Sequence, residues 1–374
     1  MRKGSRARRD PEFNFVTLFD PDTGGYLRTG ILDDDGRDTG IDPLMASFPH
    51  LLDVGIMGHC DHGLSGKCQE AGVQCYQSGG LRYSPNMTLE DFKSLVDQCA
   101  GKTHQFALGG RGDPEVHEDF REILEYCREH DIVPNLTTSG YGLDERRALL
   151  IKQYCGAAAV SWYGTPYTAR AIEMLVGLGV KTNIHFVLSS ESIDAAIALL
   201  EGTGLPRGIN RLIFLLFKPV GQGRHERVLR AGDPRVRRLF SLISRPEIAG
   251  VVGFDSCCVP AVVNHAPGID PRSFDTCEGA RFSAYVTPDL KMTPCSFDQD
   301  LRFARDLKKE SIAQAWRSPE FASFRNLLDG SCPGCVDREA CMGGCPLIPE
   351  IVLCSRAVRA SGALKEVRSS EIQD

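Results

Sequence analysis

No apolar run in the chain approaches the ~20 residues that a membrane-spanning helix needs, and no secretory leader pattern opens it. A cytoplasmic protein without a membrane partner is expected. Charge of one sign is not in excess either. Lys and Arg number 43 against 49 Asp and Glu, a formal charge of -6, which supplies no electrostatic reason for a nucleic-acid partner. Tryptophan is scarce, and its two occurrences, Trp162 and Trp316, read as packing residues. What the chain has in quantity is cysteine, fifteen in all. In a reducing compartment, clustered cysteines read as metal ligands before disulfides. A disulfide scaffold fits poorly in a chain this long with no export signal.

The cysteines fall into an N-terminal trio (Cys60, Cys68, Cys75), a scattered set (Cys99, Cys127, Cys155) and a C-terminal group from Cys257 to Cys354. The scattered set lies in or beside predicted helices, where a free cysteine behaves as a small hydrophobe. Residues 1–13 are basic and poor in apolar side chains, so a disordered leader is expected. A Gly/Asp-rich arm follows over 14–48. From 49 to 225 apolar strand-like runs alternate with helical spacing. Strands are expected at 51–57, 105–108, 133–137, 157–162, 180–188 and 211–217. Helices are expected at about 87–100, 116–129, 144–154, 167–178 and 193–200, with Thr88 as an N-cap. Such alternation implies a parallel sheet, either a partial barrel or a doubly wound sheet, with chemistry at the C-terminal strand ends. The cysteine trio and the Gly-rich turns at 109–112 and 221–223 fall at such ends. A helical linker over 226–249 and a Pro- and Cys-rich domain over 250–374 complete the expected organisation. That last domain carries one hairpin, 282–294, and a core supplied by metal.

The spacing Cys332-x2-Cys335-x5-Cys341-x3-Cys345, followed by Cys354, gathers soft ligands at a density that suits zinc or iron–sulfur clusters. Zinc needs only four thiolates. Cys277 and Cys295 add two more, and Cys257 or Cys258 completes eight, the number that two four-iron clusters take.

With the stretches "CEGARFSAYVTPDLKMTPCSF" and "CPGCVDREACMGGCP", this run resembles the seven-cysteine SPASM extension of radical S-adenosylmethionine (SAM) enzymes. One departure is Leu290, where the family has Gly at the hairpin tip, and an altered turn is expected there. The resemblance implies two auxiliary 4Fe-4S clusters with interleaved ligands. One takes Cys332, Cys335, Cys341 and Cys354. The other takes Cys277, Cys295, Cys345 and an upstream cysteine, with Cys257 favoured over Cys258.

Residues 50–225 resemble the radical SAM core, implying a partial (β/α)6 TIM-like barrel ahead of the SPASM domain. The family's Cys-x3-Cys-x2-Cys loop appears here widened, as Cys60-x7-Cys68-x6-Cys75, between "DVGIMGHC" and "CYQSG". By resemblance these three thiolates hold a 4Fe-4S cluster with one iron open to S-adenosyl-L-methionine. His59 and His62 are the rival ligands if the loop instead bound zinc. "LGGRGDPEVHEDF" is similar to the family's Gly-Gly-x-Glu-Pro turn, with Arg111 inserted and Asp113 in place of Glu. It implies cofactor contacts from Gly109, Gly110, Gly112 and Asp113. "VSWYG" implies a ribose contact from Ser161, and "FKPVGQG" an adenine lining including Gly221. Asn183 is a further candidate; for it and Ser161 the alternative is a strand-end hydrogen bond to backbone.

The chemistry so implied is reductive cleavage of S-adenosylmethionine to a 5′-deoxyadenosyl radical, which takes a hydrogen atom from a peptide or protein substrate. A flavodoxin or ferredoxin would supply electrons. Maturation of a ribosomally made peptide, by crosslink, thioether or oxidation, is the expected role. No winged-helix peptide clasp is visible in about 50 residues before the first core strand. Three rivals stand beside this reading. A formylglycine-forming sulfatase-maturing enzyme would carry Asp directly after Cys295, where Ser296 stands, with Asp298 two residues on. The others are a radical SAM enzyme for a small molecule and a non-enzymatic zinc or iron–sulfur protein.

Overall fold

A computed structural model describes residues 4–354 except 203 and 267. Its strands, in chain order, are β1 (Arg6–Arg9), β2 (Val16–Phe19), β3 (Tyr26–Arg28), β4 (Leu51–Met57), β5 (Gln105–Gly110), β6 (Val133–Thr138), β7 (Ala158–Ser161), β8 (Thr182–Leu188), β9 (Arg211–Leu216), β10 (Val252–Phe254), β11 (Ser283–Val286), β12 (Lys291–Thr293) and β13 (Arg305–Asp306). The helices begin with two single turns, α1 (Asp61–Leu64) and α2 (Lys67–Glu70), in the loop after β4. Then come α3 (Leu89–Cys99), α4 (Phe120–Glu129), α5 (Glu145–Tyr154), α6 (Pro166–Gly177), α7 (Ile193–Glu201), α8 (Pro234–Ile243), α9 (Pro246–Ala249), α10 (Val259–His265), α11 (Ile312–Trp316), α12 (Pro319–Asp329) and α13 (Arg338–Cys341).

The described residues divide into two compact units: 4–73, 77–183 and 279–322 in the first, and 74–76, 184–278 and 323–354 in the second. In the first, the strand order β7-β6-β5-β4-β11-β12-β13 makes one sheet. β4 through β7 are parallel, and α3 to α6 are the crossovers between them and onward to β8. Local signals place these helices. The Thr88 side chain accepts the Asp91 N–H at 3.1 Å, Asp144 accepts that of Arg147 at 2.8 Å, and Thr165 caps a helix whose first residue is Pro166. On β4 the buried run Leu52, Val54 and Ile56 faces one way and Asp53 and Gly55 the other. In the second unit β8, β9 and β10 are neighbours in that order, with β10 parallel to β9, and α7 and α10 pack on α8.

Two expectations are corrected here. Of the C-terminal 250–374, the described residues to 354 do not hold together as one unit. β11 pairs in parallel with β4, Ser283 opposite Leu51 through Val286 opposite Val54, so residues 279–322 belong to the first unit. The open edge of β4 is satisfied by a strand from more than 200 residues downstream, a pairing that no local pattern announces. Residues 4–13 are not disordered either. β1 pairs antiparallel with β2, Arg6 hydrogen-bonds Asp131, and Arg8 donates to the Thr103 carbonyl at 3.0 Å. The basic side chains that suggested disorder are the ones that fasten the strand. Residues 1–3 and 355–374 lie outside the described residues.

The arm over 14–48 is likewise built in. Arg281, 2% exposed, donates from Nε to the Leu44 carbonyl at 2.7 Å and from Nη2 to Asp42 at 2.9 Å. Trp316 is fully buried and donates from Nε1 to the Ala46 carbonyl at 2.9 Å. Trp316→Ala removes both the ring and that bond and is expected to cost roughly 3–5 kcal/mol. The midpoint of chemical denaturation checks it, and an unchanged midpoint would show that the arm packs without the indole. The hairpin tip also departs from expectation. Leu290 keeps the left-handed turn that glycine would make, at φ 66°, with its side chain 6% exposed. Burial of the leucine offsets a backbone cost of about 1–2 kcal/mol.

Candidate functional site

The loop after β4 is shaped by close backbone crossings. Cys60 precedes α1 and its sulfur accepts the Gly63 N–H at 3.1 Å. Cys68 lies buried in α2. The turn at 109–112 packs directly on this loop. A Cβ at Gly112 would stand 2.3 Å from the His59 carbonyl and 3.2 Å from the Cys60 Cα, and one at Gly110, whose φ is 114°, 2.8 Å from the Met57 carbonyl. Gly110 and Gly112 are therefore required by packing against the cysteine loop. Gly109 differs, since nothing lies within 4 Å of a Cβ placed there, so the space above it is open.

In the second unit, Cys75 is pinned by the other Gly-rich turn. The Gln222 N–H donates to the Cys75 carbonyl at 3.0 Å, and a Cβ on Gly221 would lie 2.2 Å from the Tyr76 carbonyl. The widened trio thus has each flank tied to a strand-end turn. Both rival histidines pack against aromatic rings. His62 Nε2 is 2.8 Å from the Tyr167 hydroxyl, its ring stacks on Tyr141 at 5.0 Å, and burial lowers its pKa. His59 stacks on Tyr83 at 4.8 Å.

Asp113 follows the 109–112 turn. Its two oxygens accept the Ser139 N–H at 2.7 Å and the Ser139 hydroxyl at 2.5 Å, which ties "GDPE" to "TTSG". Burial raises the Asp113 pKa while those bonds oppose the rise. Each oxygen retains a lone pair for a cationic amino group. Ser161 ends β7 and Asn183 lies near the start of β8, both half-buried.

Glu115 is a site that sequence reasoning passed over. It is 1% exposed, accepts the Thr138 hydroxyl at 2.5 Å through Oε1, and has no partner at Oε2. Burial first, then the Asp113 carboxylate, pushes its pKa up to about 8. The folded state therefore binds a proton that the unfolded chain releases above about 4.5. Stability from this group is complete below that value and lost as pH rises towards 8. Glu115→Gln is expected to flatten that decline and to be more stable than the parent at pH 8 by on the order of 2 kcal/mol. Urea unfolding of the metal-free protein across this range is the check, and identical pH slopes would refute it.

On the face of β4 opposite Leu52, burial pushes the Asp53 pKa up to about 7. Tyr285 is its cross-strand neighbour on β11, and a Cβ on Gly55 would stand 2.5 Å from the tyrosine hydroxyl. Gln77 donates to that hydroxyl at 3.3 Å and receives a bond from Gln299 at 3.3 Å. The spacing signal that could have found this strip is the period-2 interruption of an apolar strand by Asp53. Asp298, the alternative acid near Cys295, accepts the N–H groups of Arg302 and Phe303 at 3.1 and 2.9 Å and so serves the turn.

The C-terminal cysteines sort into groups. Within the second unit Cys335 and Cys354 lie near enough to Cys332 and Cys341 to help raise the thiol pKa of those two, burial being the larger cause. The chain folds among them through three consecutive left-handed residues, Met342, Gly343 and Gly344, and a Cβ on Gly343 would meet the Cys332 sulfur at 3.2 Å. Cys345 hydrogen-bonds Cys257, whose pKa is lowered by that bond despite burial. The neighbouring Cys258 is fully buried with its thiol pushed well up by burial, facing the Phe214 carbonyl. The two adjacent thiols are thus distinguished by direction. Cys277 lies in the second unit and Cys295, just past β12, in the first. None of the fifteen cysteines forms a disulfide. Among the described residues no three Cys, His, Asp or Glu side chains converge to single-ion spacing, and a cubane spreads its thiolates more widely than one ion does. A donor set made of thiolates fits iron–sulfur clusters. Among the described residues no helix is long and apolar enough to cross a membrane.

Residues 277–341 match SPASM, an iron–sulfur cluster-binding domain. The chain is 24% identical over 332 residues to the mycofactocin maturase MftC of Mycobacterium ulcerans, covering 82% of this chain and 87% of that one. Among solved structures it resembles Streptococcus suis SuiB bound to S-adenosylmethionine, with a TM-score of 0.64 at 16% identity over 84% of this chain and 78% of SuiB. SuiB bound to its precursor peptide SuiA also matches at 0.64 and 16% identity, covering 84% of this chain and 76% of that one. The anSMEcpe structure with bound AdoMet matches at 0.60 and 16% identity, over 85% and 93% of the two chains. At these identities the likeness establishes the fold.

Proposed function

We propose that this chain, a SPASM iron–sulfur domain joined to the fold of radical SAM enzymes, modifies a peptide substrate by radical chemistry. The observation that carries the reading is the SPASM match at 277–341 on a fold shared with SuiB, which binds both S-adenosylmethionine and a precursor peptide. The similarity to a maturase over 82% of the chain supports a ribosomally made precursor as the substrate class.

In this reading Cys60, Cys68 and Cys75 hold the catalytic 4Fe-4S cluster. When bound, that cluster and S-adenosyl-L-methionine supply a carbon radical able to take a hydrogen atom from an unactivated carbon. The chain's own residues position and shield. Asp113, oriented by Ser139, receives the methionyl amino group beside the open space at Gly109. Ser161 and Asn183 receive the ribose, and the turn at Gly221 lines the adenine. Asp53 is the group on its strand face able to take or give a proton near neutrality. Cys332, Cys335, Cys341 and Cys354 take one auxiliary cluster, and Cys257, Cys277, Cys295 and Cys345 the second. A flavodoxin- or ferredoxin-type protein donates the electrons.

The test is anaerobic reconstitution with iron and sulfide, then incubation with S-adenosylmethionine, dithionite and candidate precursor peptides. The expected result is 5′-deoxyadenosine release accompanied by a discrete mass change in one peptide. Full cluster loading with 5′-deoxyadenosine formed but every peptide unchanged, and a small molecule altered instead, would overturn the substrate class.

A further inference from the structure

Where β9 and β10 end side by side, two charges are buried together. Their parallel register sets Phe214 opposite Phe254 and so brings the ends of both strands level. Lys218, past the end of β9, is 4% exposed, and its Nζ donates to Asp255 Oδ2 at 2.7 Å and to the Leu216 carbonyl at 2.9 Å. Asp255 follows β10 directly; Oδ2 also accepts the Leu216 N–H at 3.2 Å, while Oδ1 has no partner. Burying an ammonium is costly unless it is paired and hydrogen-bonded, and one carboxylate does not exhaust its three donors. The remaining partner is sulfur. Asp255 lies two residues before Cys257, and Lys218 stands beside Cys257 and near Cys345. The pair thus presents its positive end to two thiols.

We propose that Lys218 raises the reduction potential of the auxiliary cluster ligated by Cys257 and Cys345, with Asp255 moderating it. The inference rests on the cluster assignment given above. A cluster becomes more negative on reduction, so a fixed cation at its ligand sulfur stabilises the reduced form, most strongly where water is excluded. Net charge and hydrogen bonds to the sulfurs are the protein's levers on such a potential. Lys218 supplies the charge.

The experiment is a redox titration of the full chain, reconstituted in a Cys60→Ala/Cys68→Ala/Cys75→Ala background so that only auxiliary clusters report, followed by electron paramagnetic resonance. Lys218→Met is expected to lower the reduced-to-oxidised ratio of one auxiliary cluster about tenfold at fixed ambient potential, about 59 mV for one electron, leaving the other unmoved. Asp255→Asn is expected to shift the same cluster in the opposite direction. Lys218→Arg, which keeps the charge, should stay near the parent. Opposite signs separate a charge effect from loosened packing. If Lys218→Met loses iron, Asp255→Asn and Lys218→Arg still decide. Full iron content with no shift, or shifts of the same sign in Lys218→Met and Asp255→Asn, would overturn the inference. A parent protein that takes up no auxiliary iron would instead overturn the cluster assignment, and iron analysis distinguishes that outcome.

Discussion

Replacing Cys60, Cys68 or Cys75 singly by alanine is expected to reduce 5′-deoxyadenosine release to background and to remove about four iron atoms per chain. A site-differentiated cluster has three protein thiolates and one open iron, so no spare ligand compensates for a loss. The spacing x7 and x6 leaves His59 and His62 as rival ligands in the same loop. In the fold His62 is engaged by Tyr167 and stacked on Tyr141, and Cys60 receives a backbone N–H. Cys99→Ala is the matched control. Cys99 is fully buried in α3 with its thiol pushed up to about 12 by burial, so its loss should cost stability on the order of 1 kcal/mol and no iron. Retained activity in Cys60→Ala, Cys68→Ala or Cys75→Ala, or lost iron in Cys99→Ala, would show that the catalytic trio is wrongly chosen.

The second large effect separates two adjacent cysteines. Cys257→Ala is expected to lose about four iron atoms and all peptide turnover, whereas Cys258→Ala should keep both. Cys257 is hydrogen-bonded to Cys345 and beside Lys218, and its thiol is shifted toward the ionised form that ligates metal. Cys258 is shifted the other way by burial. Iron and sulfide analysis with peptide mass spectrometry on both variants decides it. Iron loss in Cys258→Ala alone would reverse the assignment.

The core strands were legible because each is an apolar run closed by a turn residue. β4 spans 51–57 as expected, and the other five core strands differ from their expected ends by at most two residues. Thr88 was legible as a cap because capping is a short-range bond. The pairing of β11 with β4 was not, although the hairpin itself was expected, because the partner strand is remote; β1 was not, because its basic stretch carries no strand pattern. For the same reason Glu115 and Lys218 went unremarked. A carboxylate or ammonium among polar neighbours reads as surface until the fold closes over it.

Cysteine spacing and the alternation of strand and helix were enough to narrow the ligand chemistry to zinc or iron–sulfur and the fold to a parallel α/β sheet, since both are encoded in residues close along the chain. Which of Cys257 and Cys258 turns toward Cys345, which charges are buried beside them, and to which unit the β11–β12 hairpin belongs are settled by contacts between distant segments. Those depend on how the chain satisfies its buried backbone and charged groups, and that is known only once every segment is in place.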